Sequence, residues 1–405
     1  MRARLLRLTL MALALQPAAV SAQQPEAGAP AVAWRYSMKS SALLARLPDA
    51  PPVSAGGTLA AGFWRFRLEP QPRLDGPIGF ELAFEQRIQV RSSASGAGAM
   101  FAPSGGDAPY RIAQLDWTVA SGGSAEWRAE IDRAAVRLRL PRMDVTAGRQ
   151  AIGWGRGTLF GAVDLFAPFT PLEVDREWRR GVDAVRAEIK ITDRVSMDAV
   201  AAFDRTRAGS TGAVRVRGYS RRIDLEVLGG SRAGEPFAGT AASAAIGDME
   251  FHADASFFRA DGAAVGKAVA GGSYRIPLGK GIFTCAEYHY SGFGARASSG
   301  IAAALGDPRF RARYLRGDTQ ILGRHALAVL ASYEHSAAVS ASAQWLHSPS
   351  DASGLVVPSI TYTVDDRWSV LSSIYLPYGR GGRDGVAREF GATPVAAFLQ
   401  VRMYR

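Results

Sequence analysis

The sequence predicts an all-β chain: a transmembrane antiparallel β-barrel of about 16–18 strands, with short periplasmic turns and long extracellular loops. Three observations carry this. Extended segments of about ten residues alternate apolar and polar side chains, and their connections alternate tight and long. After residue 22, no window approaches the ~18 consecutive apolar residues that a spanning helix needs.

The first element is a leader. Arg2, Arg4 and Arg7 accompany an apolar stretch from Leu5 to Val20, which closes on Val20-Ser21-Ala22, small residues of the kind a signal peptidase reads. Residues 1–22 therefore read as a signal peptide for Sec-dependent export; the stretch is short for an anchor and no basic stop-transfer cluster follows. Residues 23–57 read as an N-terminal segment that includes a first strand near 34–41. Residues 58–405 keep one texture, with no Pro/Ser linker to divide them, and read as the barrel. Cys285, the single cysteine, cannot make an internal disulfide. A closed hydrogen-bonded barrel would supply stability to an exported chain without one.

The period-2 signal is clearest over 78–90. Ile78, Phe80, Leu82, Phe84, Ile88 and Val90 share one face, while Glu81, Glu85, Arg87 and Gln89 share the other. Trp64, Phe66 and Leu68 oppose Arg65 and Arg67 in the same way, and Val136, Leu138 and Leu140 oppose Arg137 and Arg139. Arg65, Arg67, Glu81, Glu85, Arg87, Arg137 and Arg139 are thus expected to face a polar lumen. A soluble sandwich would also alternate, but its strands are typically five or six residues long. Further strands fall near 58–69, 126–140, 143–154, 182–191, 195–204, 213–220, 222–230, 237–246, 249–258, 265–276, 281–290, 324–334, 337–346, 355–364, 368–377 and 395–404, eighteen candidates in all.

Tight turns include Pro141-Arg142, Thr192-Asp193-Arg194, Gly247-Asp248, Leu278-Gly279-Lys280 and Asp365-Asp366-Arg367. The long connections run over 91–109, 155–181, 291–323 and 379–394. Trp64, Trp117, Trp127, Trp345, Trp368, Tyr375 and Tyr404 lie near strand ends, where interfacial aromatic girdles belong. The last strand alternates well but ends Tyr404-Arg405, whereas chains handed to the barrel-assembly machinery usually end on an aromatic residue.

One segment has individuality. It reads Gly148-Arg149-Gln150, then Trp154-Gly155-Arg156, then Asp164-Leu165-Phe166-Ala167-Pro168, then Asp175-Arg176-Glu177-Trp178-Arg179-Arg180-Gly181-Val182-Asp183. Over about forty residues this resembles a group of porin-like outer-membrane barrels of Gram-negative bacteria that carry a GRQ…WG…DLF.P…D.E.R.G.D motif. A looser echo lies around 323–325 and 357–359. The resemblance implies a barrel with a structured loop after the GRQ strand, and names no substrate.

Bottom-up, the loop over 155–181 has an apolar middle (Leu165, Phe166, Phe169) and a high density of opposite charges. Asp164, Asp175, Glu177 and Asp183 can meet Arg149, Arg156, Arg179, Arg180 and Arg186 as Arg–carboxylate pairs that pin it against the barrel wall. These residues, with Gln150 and Trp154, are the expected pore and constriction set; the competing expectation is a latch that closes the barrel and selects nothing.

The formal charge is +11, almost all of it from arginine; only Lys39, Lys190, Lys267 and Lys280 are lysines. The arginines are scattered singly along alternating segments, not clustered as nucleic-acid binding would need, and export argues against that partner. No HExxH, CxxC or carboxylate–histidine spacing makes a metal site, Gly153–Gly157 lacks the Lys-Ser/Thr ending of a phosphate loop, and nothing marks Ser340, Ser342 or His347 as a hydrolase set. No enzyme, catalytic residue, cofactor or metal is expected. The sequence thus points to an outer-membrane channel for passive diffusion of small hydrophilic, anion-biased solutes. The alternatives are an export or assembly barrel for an anionic polysaccharide or lipid, and a plugged structural barrel. Expected partners are outer-membrane lipid and lipopolysaccharide, the barrel-assembly machinery, and the solute; monomer and trimer are both open.

Overall fold

A strand with one greasy and one charged face must put hydrocarbon on one side and water on the other, and eighteen such strands close that arrangement into a ring. The computed structural model describes residues 32–50, 54–72, 76–92, 108–173, 176–297, 299–379, 388–391 and 393–405. The strands are β1 (Val32–Ala50), β2 (Ser54–Pro72), β3 (Ile78–Arg91), β4 (Asp116–Gly122), β5 (Ala125–Leu140), β6 (Met143–Gln150), β7 (Val182–Lys190), β8 (Val195–Ala202), β9 (Thr211–Ser220) and β10 (Ile223–Arg232). There follow β11 (Glu235–Ile246), β12 (Met249–Ala260), β13 (Ala263–Ile276), β14 (Ile282–Ser291), β15 (His325–Glu334), β16 (Val339–Ser348), β17 (Ser353–Thr363), β18 (Trp368–Tyr378) and β19 (Val395–Tyr404).

Every strand pairs antiparallel with its neighbour, and β19 closes on β1, from Ser37 opposite Tyr404 to Arg46 opposite Val395. The ring passes from β3 directly to β5, and β4 and β6 share the other edge of β5, β4 along 125–130 and β6 along 134–140. The result is a closed 18-stranded antiparallel barrel with β4 as an added half-strand. Closure leaves no unpaired edge in the ring, which a backbone in hydrocarbon requires.

The burial pattern is inverted relative to a water-soluble protein. Phe80 is 56% exposed while Glu85, on the opposite face of the same strand, is 0% exposed. Ile78, Leu82, Val136, Leu138 and Leu140 are exposed like Phe80, and Arg65, Arg67, Asp132 and Arg133 are buried like Glu85. Leaving six large apolar side chains half in water would forfeit roughly 5 kcal/mol on β3 and β5 alone. Lipid removes that cost. Among the described residues, no helix is long and apolar enough to cross a membrane.

The expected strands and the ring strands correspond one to one, with differences at three places. β1 spans 32–50 rather than 34–41, so the segment before residue 58 contains a complete ring strand and the start of the next. The strand expected over 143–154 ends at Gln150, and Trp154 belongs to the loop. β4 and two short helices, α1 (Ser299–Gly306) and α2 (Pro308–Arg316), were not anticipated. The proposed leader, residues 1–22, lies outside the described residues.

Candidate functional site: the loop across the lumen

The segment between β6 and β7, residues 151–181, crosses the interior of the ring. Its residues Ile152, Trp154, Leu159, Phe160, Ala162, Val163, Leu165 and Phe166 are buried. They pack against inward apolar side chains of two wall sectors, Val200, Ala213, Leu228 and Phe237 on one side, and Leu43, Leu59, Ala328 and Phe398 on the other. An apolar upper lumen would be costly in water; the loop covers it.

Irregular backbone inside a barrel must find partners for its N–H groups. Here the wall supplies them. Arg156 N and Gly157 N donate to Asp254 of β12 (3.0 and 3.4 Å). Thr158 N, Leu159 N and Phe160 N donate to Glu287 of β14, the last two at 3.0 and 2.9 Å. Gly161 N donates to Gln320 Oε1 at 2.8 Å, and Ser256 Oγ donates to Ala162 O at 2.7 Å. Six consecutive amides are satisfied by three side chains drawn from two strands and a second loop. Phe160 stacks on the His289 ring (4.9 Å between centroids), and Trp154 Nε1 donates to Asp198 of β8 at 3.0 Å.

The motif residues have defined places. Gly148 has φ +118°, and a Cβ there would sit 2.2 Å from Ala134 O, so only glycine lets β6 lie this close to β5. Arg149 is 1% exposed, forks onto Asp183 at 2.7 and 3.0 Å and donates further to Ile131 O and Ala113 O. Gln150 Nε2 donates to Thr146 O and Ala184 O. These three fasten the loop entrance, and Arg149 does not present a free guanidinium to the lumen.

The expected pairing of loop charges is realised only in part. Arg179 meets Asp164, and Arg149 meets Asp183. Arg156 instead reaches Asp224 and Glu226 of β10 (3.1 and 2.8 Å), Arg186 takes Asp198 and Glu188, and Arg180 lies 3.8 Å from Glu130 of β5. Glu177 accepts from Lys39 and from Tyr404 Oη, both at 2.6 Å. Asp175 lies outside the described residues. The loop is held by the wall more than by itself, because long-range register, not sequence distance, decides which charges meet.

The lumen set Arg65, Arg67, Glu81, Glu85, Arg87, Arg137 and Arg139 does gather on β2, β3 and β5. Arg65 lies opposite Arg87, Arg67 opposite Glu85, and Arg137 opposite Gly79. Most of these arginines are ion-paired: Arg65 with Glu85, Arg67 with Glu85 and Asp132, and Arg87 with Glu85 and Glu130. These guanidiniums are therefore partnered rather than bare. Glu81 pairs with Arg133, and Arg137 donates to Thr146 Oγ1.

Residues that sequence reasoning missed complete this sector. Lys39 Nζ lies 3.7 Å from the Trp178 ring centroid, with Arg65 and Arg67 at 4.8 and 5.3 Å. One indole thus carries three cations. Arg402, opposite Lys39 across the β19–β1 seam, is 2% exposed and donates to Gln400, and among the described residues no carboxylate pairs with it. Burial, helped by Arg87 and Arg111, pushes Arg180 on the returning loop down to about 9. Arg87 and Arg111 add like charge around it, and Glu130 and Asp132 offset part of that. The alternation in β1 and β19 places Lys39 and Arg402 on the lumen face and could have flagged them; nothing local flags Trp178.

The second long segment, 292–324, also turns inward. Asp307 caps α2 by accepting from Arg309 N, and Gly317 ends it at φ +82°. Asp318 accepts from Arg232 and from Arg316 Nε (2.9 Å); burial opposes its charge, but Arg232 and Arg316 hold it down at about 2. Gln320 joins this loop to the first one twice, through Gly161 N and through Phe169 O. Ser340 and Ser342 fall on the opposite face of β16 from His347, which bonds Tyr378 Oη, so those three do not converge.

A closed 18-stranded barrel with a loop folded into its lumen is the architecture of an outer-membrane porin. No family model matches the sequence, and no curated protein is similar to it. Solved structures do share its fold. A BenF-like porin from Pseudomonas fluorescens Pf-5 aligns with 92% of this chain and 98% of its own, at 11% identity and a TM-score of 0.53. Pseudomonas aeruginosa OccK2 (OpdF), in complex with glucuronate, aligns with 92% and 97% at 11% identity and 0.53. Pseudomonas aeruginosa OpdK with vanillate aligns with 92% and 98% at 10% identity and 0.53.

Proposed function

We propose that the protein is an outer-membrane porin, exported through its leader, that lets small hydrophilic solutes diffuse passively past the 151–181 loop, with a bias toward anions. The observation that carries the reading is the pinned loop beside a cation-rich wall. Across this wall and the returning loop, Lys39, Arg65, Arg67, Arg87, Arg111, Arg133, Arg180 and Arg402 face Glu69, Glu81, Glu85, Glu130, Asp132 and Glu177. Excess positive charge in a narrow, low-dielectric passage raises the local concentration of anions. Glucuronate and vanillate, found with two of the fold relatives, are both carboxylates. The loop supplies the narrowing, and Trp178 holds Lys39, Arg65 and Arg67 in place.

Reversal potentials across planar bilayers under a salt gradient test this. Wild type should favour chloride over potassium, and the triple substitution Lys39→Gln, Arg65→Gln, Arg402→Gln should lower that ratio several-fold. An unchanged ratio refutes the anion bias. Absence of any conductance or liposome swelling from folded protein refutes the channel itself, in favour of a plugged or export barrel.

A further inference from the structure

His252 of β12 and Glu287 of β14 meet across the intervening strand β13 because position 271 is glycine. A Cβ on Gly271 would lie 2.6 Å from Glu287 Cγ and 2.9 Å from His252 Nε2. His252 Nε2 is 2.8 Å from Glu287 Oε1, and the Cys285 thiol lies two residues along β14 on the same face, beside Thr158. The imidazole nitrogen, the sulfur and a carboxylate oxygen all lie within 4.8 Å of one another, and all three residues are buried. We propose that His252, Cys285 and Glu287 bind one divalent cation of the zinc type.

The chemistry selects that ion. A thiolate, an imidazole and a carboxylate form the mixed donor set that zinc accepts, whereas magnesium and calcium call for oxygen alone. Ligands at about 2.0–2.3 Å from zinc lie roughly 3.2–3.8 Å apart, so the three donors need shift by only about 1 Å. Glu287 can take part without releasing the loop. Its Oε2 accepts from Leu159 N and Phe160 N, while Oε1 accepts from Thr158 N and shares its other lone pair with His252. The cation takes the place of that His252–Glu287 hydrogen bond: the Nε2 proton of His252 leaves to solvent, with Nδ1 keeping or taking up a proton so that the ring stays neutral, and Cys285 gives up its thiol proton to solvent as the metal–sulfur bond forms. A fourth position is left for water.

Two residues along, toward the short turns, Glu250 and Ser273 face each other, with Ser273 Oγ donating to Glu250 Oε2 at 3.0 Å and Glu250 exposed. That exposed carboxylate adds negative charge beside the site, which favours cations there. Because Glu287 also holds Thr158, Leu159 and Phe160, a bound cation would tie this wall to the crossing loop and stiffen it.

The test uses the full mature chain folded in detergent, with zinc chloride in equilibrium dialysis and cadmium chloride as an optical probe of thiolate ligation. One equivalent of zinc should bind per chain, and cadmium should produce a thiolate-to-metal charge-transfer band. Cys285→Ser should abolish the band, and His252→Gln should weaken binding by at least ~10-fold. Cys285→His should keep binding and lose the band, which separates ligation from folding; heat-modifiable migration confirms that each variant is a closed barrel. No stoichiometric binding by wild type, or binding that Cys285→Ser and His252→Gln leave unchanged, overturns the site. Ion-selectivity recordings are not part of this readout, so the channel reading stands or falls separately.

Discussion

Replacing Glu287 by Ala removes the acceptor for three consecutive loop amides, at Thr158, Leu159 and Phe160, and the partner of His252. A buried donor left without an acceptor costs about 1–3 kcal/mol. Water entering the space vacated by the side chain would recover part of this, so the loop should lose roughly 3–6 kcal/mol of anchoring. The ring itself loses no backbone pairing, because the β13–β14 and β14–β15 ladders do not use this side chain. Global folding, read as heat-modifiable migration, should therefore be close to wild type, while the loop should leave the wall part of the time. Single-channel recordings should show larger and noisier conductance, and limited proteolysis should cut within 155–173, where wild type resists. Glu287→Gln keeps one acceptor oxygen and should fall between. If Glu287→Ala conducts like wild type and its loop is equally resistant, the carboxylate clamp is not what holds the loop.

Three other outcomes follow from the same geometry. Gly148→Ala would place a methyl 2.2 Å from Ala134 O at a φ of +118°, so the β5–β6 pairing must open; the yield of folded barrel should drop sharply, whereas Gly212→Ala, in open space, should fold like wild type. Val227→Lys, on the outward face near the middle of β10, should cost about 2–4 kcal/mol in bilayers, measured by denaturant-driven unfolding from liposomes, while detergent that lets the ammonium reach water should mask most of it. Glu389, which accepts from Leu322 N at 2.8 Å and from Gly323 N, is pushed up by burial to about 7, with Asp351 adding to the shift. A carboxyl whose pKa is higher folded than unfolded contributes stability at low pH and loses it as pH rises through about 7. Cleavage at 388–391 should accordingly increase between pH 5.5 and 8, and Glu389→Gln should flatten that dependence.

The sequence by itself determined the wall. A period of two over ten-residue stretches fixes which side chains face hydrocarbon and which face water, and this needs no partner strand to be known. Thus Phe80 and Glu85, and Val136 and Arg137, were assignable to their faces in advance, as were the alternating tight turns and long loops. β1 was read short because Ser40-Ser41-Ala42-Leu43-Leu44-Ala45 does not alternate in polarity; its inner face there is apolar, packed under the crossing loop rather than wetted. The α2 boundaries, by contrast, carried local signals in Asp307-Pro308 and Gly317 that were legible but swamped by the surrounding loop composition.

Only the tertiary structure decided the interior. Charge in the loop announced ion pairs, yet Arg156 chose Glu226, some seventy residues on, and Glu177 chose Lys39. His252, Cys285 and Glu287 look unrelated along the chain, and they converge because β12, β13 and β14 pair in a register that puts Gly271 between them. Which face a residue takes is a local consequence of backbone geometry. Which residue it meets depends on the shear of the whole ring and on loops that fold back over many strands, and no local pattern encodes either.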